Sequence, residues 1–167
     1  VLFRSEREAE CARTPENFKR DLQTLYEKGF RPISLNDYVA GNITTEAGFT
    51  PVVFTFDDGN QNNFNMIQNS AGEWIVDPDS AVGILVDFNK KHPDFPLEAT
   101  FFINGGTPFG QKEWVEHKLN YIVEMGMDLG NHTNTHIDFT KASGEKMQEE
   151  LGKLKVLIDN NVKNYER

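Results

Sequence analysis

Two clusters of polar residues in this 167-residue sequence have the types and spacing for hydrolytic chemistry. The first, Asp57-Asp58-Gly59, ends the apolar run Pro51-Val52-Val53-Phe54-Thr55-Phe56. Side chains alternate along an extended strand, so adjacent aspartates point to opposite faces. Gly59 lets the chain turn sharply, which allows both carboxylates to serve one pocket, one as a metal ligand and the other free as a base. Asp-Asp-Gly-Asn is also good material for a plain β-turn. Its position weighs against that reading, because uncompensated carboxylates at the end of a buried strand are costly.

The second cluster is His132-Thr133-Asn134-Thr135-His136. Two imidazoles four residues apart can reach one cation from a tight turn or a helix. Gly130-Asn131 just before them favours a loop leaving a strand, and Thr133 and Thr135 can hydrogen-bond locally to orient the rings. Two neutral nitrogens and one carboxylate leave a coordination position open for water, the ligand set of a catalytic rather than a structural zinc site. His92, before Pro93, and His117, on an amphipathic segment, lack such partners and are expected to face solvent.

These clusters need elements to hold them. Thr14-Pro15 predicts a helix start, with Phe18, Leu22 and Leu25 on one face and Gly29 as the stop. A short extended segment, Pro32-Ile33-Ser34, and a short helix capped by Ser34 follow. Residues 51–56 predict one nearly continuous strand, buried on both faces. Phe64–Gln68 and Glu73–Val76, joined through Ser70-Ala71-Gly72, predict a β-hairpin. A helix from Asp77-Pro78 to His92, a strand over Ala99–Ile103, a helix over Trp114–Met125, a strand over Met127–Leu129 and a helix over Ser143–Asn160 complete the pattern. Strands alternating with helices predict an α/β fold of parallel βα units.

At 19.0 kDa the chain is long enough for one core. A net charge of −9 argues against a nucleic-acid partner. One cysteine, Cys11, excludes an internal disulfide framework and a Cys-based zinc cluster. No apolar run reaches the roughly 18–20 residues that span a bilayer, so no transmembrane segment is expected. Residues Val1–Ser5 match an in-frame reading of a common sequencing adapter and are expected to be a non-native scar, which leaves 6–167 as the domain.

Thr55–Gly59 and His132–His136, with Ala99-Thr100-Phe101-Phe102 between them, resemble the first two motifs of the polysaccharide deacetylases, the NodB homology group or carbohydrate esterase family four. The resemblance runs from about Pro15 to the C-terminus. It implies a partial, distorted (β/α) barrel, with the hairpin around Glu73-Trp74-Ile75 as an insertion. It implies that Asp57 is the catalytic base and that Asp58, His132 and His136 hold a divalent metal, zinc foremost, with cobalt or nickel also suited. Thr55, Gly59, Asn131, Thr133 and Thr135 are then supporting residues. The implied reaction is hydrolysis of N-acetyl groups on an amino-sugar polysaccharide, or less often of O-acetyl groups on xylan, in the extracellular space or cell envelope of a bacterium. The family's later motifs, an Arg-x-Pro and a Leu-x-His among them, do not occur between His136 and Arg167, so the domain reads as incomplete and residues 1–167 alone are expected to deacetylate poorly. Two other readings stand beside this one. A barrel amidohydrolase would carry His-x-His where Asp57-Asp58 stands. A non-catalytic carbohydrate-binding module would present Trp74, Phe109 and Trp114 to solvent as a stacking platform.

Overall fold

The computed structural model describes residues 2–3 and 12–163. Of the expected N-terminal scar, only Leu2–Phe3 falls within this range; the rest of that segment and Cys11 lie outside the described residues.

The helices begin where the capping chemistry says they should. Thr14, Ser34 and Ser143 each accept a backbone N–H two or three residues into the helix that follows, satisfying a donor that the first turn leaves unpaired. In chain order the elements are β1 (Leu2–Phe3), β2 (Ala12–Arg13), α1 (Pro15–Glu27), β3 (Phe30–Pro32), α2 (Leu35–Ala40), β4 (Thr50–Val52), β5 (Thr55–Phe56), β6 (Met66–Gln68), β7 (Trp74–Val76), α3 (Ala81–Lys91), β8 (Thr100–Ile103), α4 (Val115–Glu124), β9 (Asp128–Asn131) and α5 (Gly144–Asn161). The helix expected from Asp77 starts later, at Ala81, because Ser80 rather than Asp77 is its cap: the Ser80 hydroxyl accepts from Gly83 N.

The site rests on a parallel sheet ordered β5-β8-β9. Phe56 lies opposite Phe101 with the rings stacked 4.7 Å apart, and Phe18 of α1 meets Phe56 edge-on at 5.7 Å. These aromatics, with Leu22, Ile103, Leu119, Ile122 and Leu154, form one continuous core, each large side chain contributing about 1.5–3 kcal/mol by leaving water. Strands joined through helices in parallel register agree with the expected α/β organisation, and among the described residues they do not close into a barrel.

The single strand expected over 51–56 is in fact two. Thr50–Val52 pairs in parallel with β3, and Thr55–Phe56 pairs with β8. The change of partner falls at Val53–Phe54, where the Phe54 carbonyl already accepts from Thr100 N. Nor is the segment buried on both faces. Pro51 is exposed, and an apolar cleft of about 350 Å³ runs along Val53, Phe54 and Phe56, walled by Phe18 and Leu25.

The hairpin forms as expected from β6 and β7, in antiparallel register with Met66 opposite Val76. Gln111 docks it: its side chain accepts from Met66 N at 2.8 Å and donates to Met66 O at 2.9 Å. No described helix is long and apolar enough to cross a membrane.

Candidate metal centre

The two motifs leave the sheet at the same end, from two strands that flank β8. Asp57-Asp58-Gly59 follows β5, and the His132–His136 loop follows β9. They converge at the carboxyl ends of parallel strands, where α/β folds place their sites. One Asp58 oxygen, Oδ1, lies 3.4 Å from His132 Nε2 and 3.2 Å from His136 Nε2. Among the described residues, these three side chains form the cluster whose donor atoms lie within 4.8 Å of one another.

Those distances discriminate between two explanations. A direct charge-assisted N–H···O⁻ bond settles at about 2.7–2.9 Å. Ligand bonds of about 2.0–2.1 Å at tetrahedral angles separate neighbouring donors by about 3.3–3.4 Å. The two imidazoles stand off the carboxylate by a spacing that suits a shared cation, and N, N, O is the donor set of an open zinc site.

The backbone is left-handed at this site. Asp58 (φ 72°), Thr133 (φ 69°) and His136 (φ 57°) are three of the four non-glycine residues with positive φ among those described, and the fourth is Phe109. Each such residue costs roughly 1–2 kcal/mol, and strain of this kind gathers where surrounding structure over-determines the conformation.

For Asp58 that structure is close packing. Gly59 has φ 60°, and a Cβ there would sit 2.8 Å from Ile103 Cγ2 of β8. Its carbonyl accepts from Phe109 N at 2.7 Å, while Asn63, fully buried, donates to the Asp57 carbonyl at 3.1 Å. Lys118 completes the support from below. It is fully buried, donates to the Phe109 carbonyl at 2.7 Å and lies over the Phe64 ring. Burial pushes its ammonium down to about 8, with nearby Glu113 opposing.

For the histidine loop the support comes from side chains. Asn104 donates to the His132 and Thr133 carbonyls at 2.6 and 3.1 Å, and Asn131 accepts from Thr133 N at 3.0 Å. Gly105 N donates to the Asn134 carbonyl. Gly130 admits the Phe102 ring, which a Cβ would meet at 2.3 Å.

The supporting residues named from sequence thus have mixed fates. Thr55 sits in β5 opposite Thr100, Gly59 makes the close turn, and Asn131 pins its loop. Thr133 does not orient a ring: its hydroxyl is buried with no partner among the described residues. Thr135 donates its N–H and hydroxyl to Glu150 rather than to an imidazole. Asn63, Asn104, Lys118 and Glu150 escaped the sequence reading, because an isolated polar residue without motif spacing carries no signal of its burial.

The remaining histidines differ from one another. His117 is exposed, as expected, whereas His92 is half-buried against Tyr26 and Phe88 at 4.2 and 4.6 Å. Phe109 is fully buried, which removes it from any solvent-facing aromatic platform; Trp74 is exposed and leans on half-buried Trp114. A polar cleft of about 400 Å³ opens at the centre, lined by Asp58, Asn60, Gln61, Asn104, Thr107 and His136 among others.

Residues 92–166 match the family model for polysaccharide deacetylases, a span that includes both histidines and leaves both aspartates outside. No curated protein matches the sequence. The fold is similar to that of the Streptococcus pyogenes deacetylase PplD, solved in complex with acetate, with a TM-score of 0.69 at 19% identity over 96% of this chain and 66% of that one. It is also similar to that of a Bacillus anthracis protein assigned to the polysaccharide deacetylases, with a TM-score of 0.62 at 20% identity over 92% of this chain and 46% of that one. The chain therefore spans about two thirds of the first relative and under half of the second. Residues 92–166 thus match the polysaccharide deacetylases, and the chain shares its fold with two solved proteins at 19% and 20% identity.

Proposed function

We propose that this chain supplies the metal-binding and base-bearing part of an enzyme that hydrolyses N-acetyl groups of a polysaccharide such as peptidoglycan, chitin or poly-N-acetylglucosamine, with O-acetyl groups a lesser target. The observation that carries the reading is the approach of both imidazole Nε2 atoms to one Asp58 oxygen. Asp58, His132 and His136 would hold a divalent ion, zinc first, with cobalt or nickel suited to the same donors. When bound, the ion supplies Lewis acidity toward the acetyl carbonyl and the attacking water.

The rest falls to side chains. Asp57 stands outside the three-donor cluster, and its carboxylate takes a proton as water adds to the acetyl carbon. The C–N bond then breaks, acetate departs and the amine nitrogen takes up a proton. The amides of Asn60, Gln61 and Asn104 and the hydroxyl of Thr107 offer donors and acceptors suited to sugar hydroxyls. PplD was solved with acetate, the acid that this reaction releases, which supports the assignment. On this reading the protein would act on such a polymer outside the bacterial cell or in its envelope.

Acetate release from N-acetylglucosamine oligomers, measured beside metal content, tests the reading. Asp57→Asn is expected to keep the metal and lose whatever acetate release the wild-type chain shows, whereas Asp58→Ala loses both. Full metal content in Asp58→Ala would overturn the assignment.

A further inference from the structure

We propose that Glu150 of α5 is a positioning residue for His136, acting through Thr135 on the loop that presents this ligand. The inference rests on the metal-site reading above. Glu150 is only 1% exposed, an unusual place for a carboxylate, since a buried charge is tolerated only when paired and hydrogen-bonded. Its two oxygens are used differently: Oε2 is hydrogen-bonded, while Oε1 has an ion pair and no hydrogen bond among the described residues. Oε2 accepts from Thr135 N at 2.7 Å and from Thr135 Oγ1 at 2.9 Å. Oε1 lies 3.0 Å from Lys146 Nζ, one helical turn back.

The division of labour within the loop makes this contact consequential. Asn104, Asn131 and Gly105 hold the stretch from His132 to Asn134. Glu150 grips the next residue, Thr135, which leads directly into His136 and its left-handed backbone. The side chain of His136 is 63% exposed against 33% for His132, so little packing fixes it once the backbone is free. Lys146 restrains the Glu150 rotamer from within the same helix, leaving the carboxylate aimed at the loop.

Cobalt titration of the full chain tests this, with the dissociation constant and Tm measured together. Glu150→Ala is expected to weaken cobalt binding about 10–100-fold, the range typical of residues that support a ligand. Glu150→Gln, whose amide oxygen can still accept from Thr135 N, should recover most of that loss. Thr135→Val deletes one donor on the loop without touching the helix and should weaken binding about 3-fold or more. Leu154→Ala, a cavity in the same helix, lowers Tm and should leave the constant of the folded protein unchanged. The proposal is overturned if Glu150→Ala binds as wild type, or if Leu154→Ala weakens binding as much. Should Glu150→Ala not fold, wild-type binding by both Glu150→Gln and Thr135→Val overturns it equally. Undiminished binding by Asp58→Ala would instead sink the metal site itself.

Discussion

The two loops that make the site are held by opposite means. The aspartate loop is wedged: Gly59 lies against Ile103, its carbonyl is taken by Phe109 N, and buried Asn63 fixes the Asp57 carbonyl. The histidine loop is tethered instead by three polar side chains from three directions, Asn104, Asn131 and Glu150. Exposure sets His136 apart, its side chain 63% exposed against 26% for Asp58 and 33% for His132. Packing contacts have no slack, because interiors are close to crystalline density, while hydrogen-bonded tethers can lengthen or exchange with water. The difference makes Asp58 the fixed point of the site and His136 its adjustable partner.

Removing the fixed point should have the largest effect. Asp58→Ala is expected to weaken zinc or cobalt binding by more than about 100-fold, beyond the span seen when only a supporting residue is lost; calorimetric titration measures it, and a small loss would mean that the histidines alone define the site. Next comes the wedge. Gly59→Ala forces a Cβ to within 2.8 Å of Ile103 Cγ2 at φ 60° and should cost roughly 2–4 kcal/mol in chemical denaturation. Gly126→Ala, at φ 88° with nothing within 4 Å, isolates the backbone part of that cost, about 1 kcal/mol.

Lys118, which props the wedge through Phe109, gives the comparison a pH signature. Its ammonium is depressed from 10.5 to about 8 by burial, so between those values the unfolded chain binds a proton that the folded chain does not. Stability from this group is therefore lowest below pH 8 and rises with pH above it, by about 2 kcal/mol near pH 9.5. Urea midpoints at pH 7 and 9.5 should show this rise in the wild type and lose it in Lys118→Met. The smallest effect belongs to the tethers: Asn104→Ala should weaken metal binding about 10-fold with little change in Tm. An equal fall in Tm for Asn104→Ala and Gly59→Ala would erase the distinction between wedge and tether.

What the sequence disclosed follows the same physics. Asp58, His132 and His136, whose donor atoms the structure brings within 4.8 Å of one another, were candidates because the two motifs occur together after apolar runs; either motif alone also reads as a turn or a solvated loop. Thr14, Ser34 and Ser143 were legible because capping is decided within four residues. The break at Val53–Phe54 was not, since a strand that changes partner looks locally like one that does not. Glu150 and Lys118 read as ordinary members of charged helices. Their burial depends on what packs above them, which no window along the chain contains. Nor does periodicity reveal that Phe109, flanked by glycine and proline, turns into the core.

The docking of the hairpin on Gln111 carries one more consequence. Strands β6 and β7 are held by the Gln111 carboxamide, by Met66 in the core and by Trp74 against Trp114, and do not pair with the parallel sheet. Their length is thereby uncoupled from the register of β5 against β8. Met66 anchors the hairpin in the core, and the more exposed residues 67–75 beyond it can change in length while the ligand-bearing strands keep their alignment.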